Sequence, residues 1–114
     1  MIHGNDIIST DSKINLTCSG DNGATGLDSN NKIDLTRVNL NANTNDEGIT
    51  AYEDINLSEV NVEINAGGSA ISTNGSVLIS NSNVKAFGAK EYMTVGLQKK
   101  EFALAIYLSS MAEL

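Results

Sequence analysis

A chain of 114 residues has room for one domain, and its 40% hydrophobic content is enough for a core despite a net charge of −7. That acidity repels phosphate backbones and argues against a nucleic-acid partner, and no apolar run reaches the roughly eighteen residues of a membrane span. Proline and tryptophan are absent and aromatics are 4%, so aliphatic side chains must build the core among many Asn, Ser, Thr and Gly, a mixture that suits short strands joined by tight turns.

From the N-terminus, Met1 to Asp6 shows neither a basic region nor an apolar stretch of signal-peptide length. His3 is the single histidine and Cys18 the single cysteine, so neither a zinc site nor an internal disulfide framework is available.

Self-similarity then governs the next eighty residues. Leu27, Ile49 and Ile71 are spaced by 22, and Ile8 precedes Leu27 by 19, which reads as a first coil shortened in one loop. Six positions after each anchor stands a second apolar residue (Ile14, Ile33, Ile55, Val77), and two beyond that a third (Leu16, Leu35, Leu57, Ile79). Leu40, Val62 and Val84 continue the pattern through the later coils. Apolar and polar residues alternate with period two inside each run, and Gly, Asn, Asp and Ser fill the joints. Short strands at a fixed period describe an all-β solenoid, a right-handed parallel β-helix of about four coils over 1–96, each coil burying its apolar side on its neighbours. Outward positions share registers as well. Asn39, Asn61 and Asn83 form a candidate amide ladder, and Arg37 and Glu59 a candidate ion pair.

Residues 97–114 change character, with strong helix formers and no glycine after Gly96. Leu97, Leu104, Leu108 and Met111 fall near one helical face, so a C-terminal helix is expected, as a cap on the open coil or as a contact in a homo-oligomer. A truncated coil of a longer protein is the third reading.

Catalytic constellations are largely missing. The lone histidine leaves a nucleophilic triad without a base, and Ala66-Gly67-Gly68 is followed by neither a helix nor a Lys-Ser/Thr pair. A glycosidase needs two carboxylates at a set separation, and a lyase on this fold a basic residue beside an acidic cluster, whereas the sole arginine, Arg37, shares its register with Glu59. No enzyme is expected. Calcium fits better: Asp21, Asp28, Asp46 and Glu47 supply hard oxygen ligands in or near loops on what reads as one edge of the stack. Tyr52, the aromatic of the regular coils free to stack on a sugar, forms with Asp34 and Asn56 the candidate ligand-binding set.

The stretch from Gly48 to Ala86, with its anchors Ile49, Ile55, Leu57, Ile71, Val77 and Ile79, resembles the repeats of bacterial surface β-helix proteins. More narrowly it is similar to the carbohydrate-binding β-helix family related to pectate lyases, and the likeness runs over about residues 8–88. The resemblance implies an extracellular or cell-surface location and a non-catalytic module for polysaccharide, acidic plant glycans included, with calcium assisting. A structural or adhesive repeat without a small ligand is the alternative expectation, and a polysaccharide lyase or glycosidase the third.

Overall fold

The computed structural model describes residues 1–20, 24–89, 92–95 and 102–107. It is a parallel β-solenoid of about four coils. The first coil comprises β1 (Ile2–Gly4) and β2 (Ile7–Cys18), and the second β3 (Leu27–Ser29) and β4 (Ile33–Thr44). The third has β5 (Ile49–Ala51), β6 (Ile55–Ser58) and β7 (Asn61–Ala66), and the fourth β8 (Ile71–Ser80) and β9 (Asn83–Phe87). Stacking coil on coil makes three faces. β1, β3, β5 and the start of β8 form the first. The early halves of β2 and β4, then β6 and the end of β8, form the second. The late halves of β2 and β4, then β7 and β9, form the third.

The 22-residue spacing is the stacking register of the last three coils. Leu27, Ile49 and Ile71 pair in sequence, as do Ile33, Ile55 and Val77, then Leu35, Leu57 and Ile79, then Leu40, Val62 and Val84. All twelve are buried. Each such side chain contributes on the order of 1.5–3 kcal/mol before ordering entropy is counted.

The first coil is out of step with the sequence expectation. Ile7 pairs with Ile33, Ile14 with Leu40 and Leu16 with Ala42, an offset of 26 rather than 19, and Ile2 is the residue that stacks on Leu27. Ile8, expected inside, points outward and is 63% exposed. The segment Ile14-Asn15-Leu16 repeats the pattern of Ile33-Asp34-Leu35 but lies one face further along, because the chain between β2 and β3 is longer than its later counterparts.

A single backbone device divides the second face from the third. Asp11, Arg37, Glu59 and Asn81 all adopt left-handed conformations, with φ between 49° and 53°. One such residue in an extended run turns the strand through a corner and reverses the alternation. Leu35 and Val38 are therefore both buried with two outward residues between them, as are Leu57 and Val60. A second corner rests on glycine. A Cβ on Gly26 would lie 2.6 Å from the Gly48 carbonyl oxygen, and one on Gly48 would strike the Ala70 carbonyl oxygen.

The C-terminal helix is not what forms where that segment is described. Phe102–Tyr107 is a strand, β11, antiparallel to β8 with Leu104 opposite Val77, and Tyr92–Val95 is a strand, β10, antiparallel to β9. The rest of the expected helix, 97–101 and 108–114, lies outside the described residues. Without β10 and β11 the last coil would present unpaired N–H and C=O groups along β8 and β9, and pairing them outweighs the helix propensity of Phe102 to Tyr107.

Candidate functional site

Residues at equivalent points of successive coils come to lie side by side, so a surface site here is a patch of a periodic lattice. Along the first face the outward column is His3, Asp28, Thr50 and Ser72. Beside it Ser29, Ala51 and Thr73 turn inward and are buried. The hydroxyl of Ser29 has one hydrogen to share between the carbonyl oxygens of Asn5 (2.8 Å) and Lys32 (2.7 Å) and accepts from the Asn31 N–H, and Thr73 donates to the Glu53 carbonyl. These bonds hold the turns after the strands in place, and the next residues, Asn30, Tyr52 and Asn74, stand at the rim.

Tyr52 is 67% exposed. Its ring borders a shallow groove lined also by Asp28, Asn30, Thr50, Ser72 and Asn74. His3 Nδ1 lies 2.9 Å from Asp28 Oδ2, at one end of this groove. The walls are thus hydroxyls, amides and one carboxylate beside one aromatic ring. They hold donors and acceptors for sugar hydroxyls and a flat apolar surface for a sugar's C–H face.

The other two members of the expected ligand set are brought together elsewhere. Asp34 and Asn56 are adjacent outward residues of the second face, and Asn56 Nδ2 donates to Asp34 Oδ1 at 2.7 Å. Lys32 Nζ lies 3.3 Å from the other carboxylate oxygen. Both oxygens of Asp34 are therefore engaged within the protein, and neither residue lines the Tyr52 groove.

Of the expected calcium ligands, Asp28, Asp46 and Glu47 lie among the described residues and are not grouped. Asp28 faces His3, while Asp46 and Glu47 lie between β4 and β5, where the Asp46 carbonyl accepts from Gly68 N–H at 2.9 Å. Asp21 lies outside the described residues. Among the described residues no three His, Cys, Asp or Glu side chains are grouped to hold a metal ion.

At the corner between the second and third faces, Arg37 meets the Asp11 carboxylate with both Nε (2.5 Å) and Nη2 (3.2 Å), and its Nη1 reaches Glu59 Oε2 at 3.5 Å. The expected Arg37–Glu59 pair is thus present, with Asp11 as the closer partner. The guanidinium's hydrogen bonds hold the Asp11 carboxyl below the usual range, and those same contacts raise Arg37 further. All three side chains are about half exposed or more, so the cluster fixes a corner and is weak as a source of stability. Asn39, Asn61 and Asn83 share one register as expected, yet among the described residues their amides make no hydrogen bonds to one another.

Four outward members of the groove escaped the sequence reading although their signal was there: Asn30 and Asn74 stand one 22-residue period either side of Tyr52, and Thr50 and Ser72 follow Asp28 at the same period. The His3–Asp28 contact had no such signal, since it depends on the first coil's own offset. Among the described residues no helix is long and apolar enough to cross a membrane. Neither a family model, nor a curated protein, nor a solved structure matches this chain, and of the expected resemblance the structure shows the parallel β-solenoid alone.

Proposed function

We propose that this chain is a non-catalytic glycan-binding module that receives a polysaccharide in the Tyr52 groove at the surface of a cell. The observation that carries this reading is the exposed Tyr52 ring set beside stacked hydroxyl and amide side chains, Thr50 and Ser72 next to Asn30 and Asn74. A ring flanked by groups that both donate and accept hydrogen bonds suits a sugar better than it suits an apolar ligand or a phosphate.

Charge decides how different glycans engage. A neutral chain meets no repulsion from Asp28. A polyuronate approaching a protein of net charge −7 needs a bridging cation, which is where calcium would enter.

Affinity electrophoresis through gels containing galactomannan or polygalacturonate, with calcium and then with chelator, tests the reading. Retardation by galactomannan in both conditions, or by polygalacturonate with calcium only, is the expected result. Tyr52→Ala should weaken it at least fivefold. If calcium is required, Asp28→Asn, which removes the groove's carboxylate, should remove that requirement. No retardation by either polymer in any condition would leave the solenoid as a structural repeat.

A further inference from the structure

The third face is built unlike the other two. Its outward residues are Lys13, Asn15 and Thr17 on β2, Asn39, Asn41 and Asn43 on β4, Asn61, Glu63 and Asn65 on β7, and Asn83, Lys85 and Phe87 on β9. Every one of them is exposed, whereas nearly all outward residues on the other two faces of the later coils are half-buried. Asn39, Asn41, Asn43 and Asn65 lie inside strands, where turn geometry does not account for them and where Asn is disfavoured, and Asn61 and Asn83 open β7 and β9 just past the corner. They do not satisfy one another either, for among the described residues the side chains of Asn39, Asn41, Asn43, Asn61, Asn65 and Asn83 make no hydrogen bonds. A sheet face filled with a poor strand former, its amides left open, points to the surface chemistry of those amides.

That chemistry is specific about charge. Two lysines against one glutamate leave the face close to neutral on a protein whose overall charge is −7. A polyanion is repelled by the rest of the molecule, and a polycation finds little to hold on this side. Each amide presents an N–H donor and a carbonyl acceptor, about 4.8 Å apart from rung to rung and roughly 6.6 Å apart along a strand. Shallow grooves run between these columns, one flanked by Asn39, Asn61 and Asn83, another by Asn43 and Asn65. The second groove ends at Phe87, an aromatic ring 39% exposed.

We infer that the amide face of β2, β4, β7 and β9 is a second glycan-binding surface, separate from the Tyr52 groove and suited to an uncharged polysaccharide lying across several coils. Hydroxyls donate and accept as the amides do, and Phe87 supplies a platform for one sugar ring. Each hydrogen bond replaces one to water and contributes little by itself, so affinity on this face grows with the length of chain engaged. The inference shares the glycan reading of the Tyr52 groove but rests on different residues, and the two are separable by experiment.

The test uses the full chain labelled with nitrogen-15 and titrated with galactomannan, with short manno-oligosaccharides and with polygalacturonate. Galactomannan should shift or broaden the side-chain NH₂ signals of Asn39, Asn41, Asn61 and Asn83, in the Tyr52→Ala variant as well. Short oligosaccharides should bind at least tenfold more weakly, and calcium-free polygalacturonate should leave these signals in place. Asn41→Ala with Asn61→Ala should lower retardation of the Tyr52→Ala protein by galactomannan at least fivefold, with circular dichroism confirming the fold. If the face amides stay unmoved by galactomannan, or respond as strongly to polygalacturonate, the inference fails. Binding lost wholly in Tyr52→Ala would refute this face alone, and binding unchanged in Tyr52→Ala but lost when Asn41→Ala and Asn61→Ala are made in the protein that keeps Tyr52 would refute the Tyr52 groove.

Discussion

Gly48 shows how closely one residue can be tied to the stacking. A methyl group there would collide with the carbonyl of Ala70 in the coil above and with the Ile64 side chain, and neither has room to withdraw in a packed column. Gly48→Ala is expected to cost about 1–3 kcal/mol, read as a lowered urea midpoint at unchanged m-value. An unchanged midpoint would mean that the coils separate more easily than their packing implies. Ser82 makes the converse point, a polar residue wholly buried where Val38 and Val60 occupy the same inward position in earlier coils. Its hydroxyl accepts the Val60 N–H at 3.1 Å and donates to the Ser80 carbonyl at 2.7 Å, satisfying a donor that the corner takes out of the ladder. At that corner Asp11 titrates lower in the native state because Arg37 hydrogen-bonds its charged form. Its contribution is therefore present above the unfolded value, about pH 3.9, and is lost as pH falls through the native one. Thermal melts should show Arg37→Gln below the parent at pH 6, with the gap closing in acid and in high salt, and a gap independent of both would exclude the ion pair as its cause.

Coils are the element at which sequence and structure can be compared directly. The columns headed by Leu27, Ile33, Leu35 and Leu40 were legible because each repeats at 22 and a parallel stack sets equivalent residues side by side. The first coil was misread because Ile14-Asn15-Leu16 matches Ile33-Asp34-Leu35 in pattern, and only the length of the following loop assigns it to another face. The left-handed corner was visible as two successive outward residues between Leu35 and Val38, though strict alternation hides it. Phe102 to Tyr107 is ambiguous by nature, since Phe-Ala-Leu-Ala-Ile-Tyr satisfies both a helical stripe and a period of two, and the open edge of β8 decides. Tyr52 was legible as an exposed aromatic. The pairing of Asp34 with Asn56 and Lys32 was not, because sequence gives register and leaves side-chain partners open. Ile55, wholly buried between Ile33 and Val77, tests the stacking argument at its centre. Ile55→Ala should cost about 2–5 kcal/mol by chemical denaturation. Ile55→Asp should abolish the cooperative transition, and a folded, cooperative Asp variant would contradict the column.

Over the whole molecule the two ends of the stack differ, and this difference has a measurable consequence. At the last coil β10 and β11 lie against β9 and β8, so those strands are bonded on both sides. At the first coil, among the described residues, the twelve-residue strand β2 is bonded only to β4, and Ile7, Ile14 and Leu16 are only partly buried. Met1, Ile2 and Ile8 are exposed beside them. In a solenoid, stability is close to a sum over coils and their nearest-neighbour contacts, so a coil with one neighbour opens at lower cost than a coil with two. The first coil's inward residues are also weaker, with Ser9 and Ser12 where later coils place Leu35 and Val38. Native-state hydrogen exchange should therefore rank the amides, with those of Ile14 and Leu16 in β2 exchanging well before those of Leu57 and Val62 in the third coil. Filling the weak column by Ser9→Leu should slow exchange across β2 while leaving the third coil unchanged. Uniform exchange over all coils would mean that the stack opens as one unit, and the nearest-neighbour picture would then be wrong for an array this short.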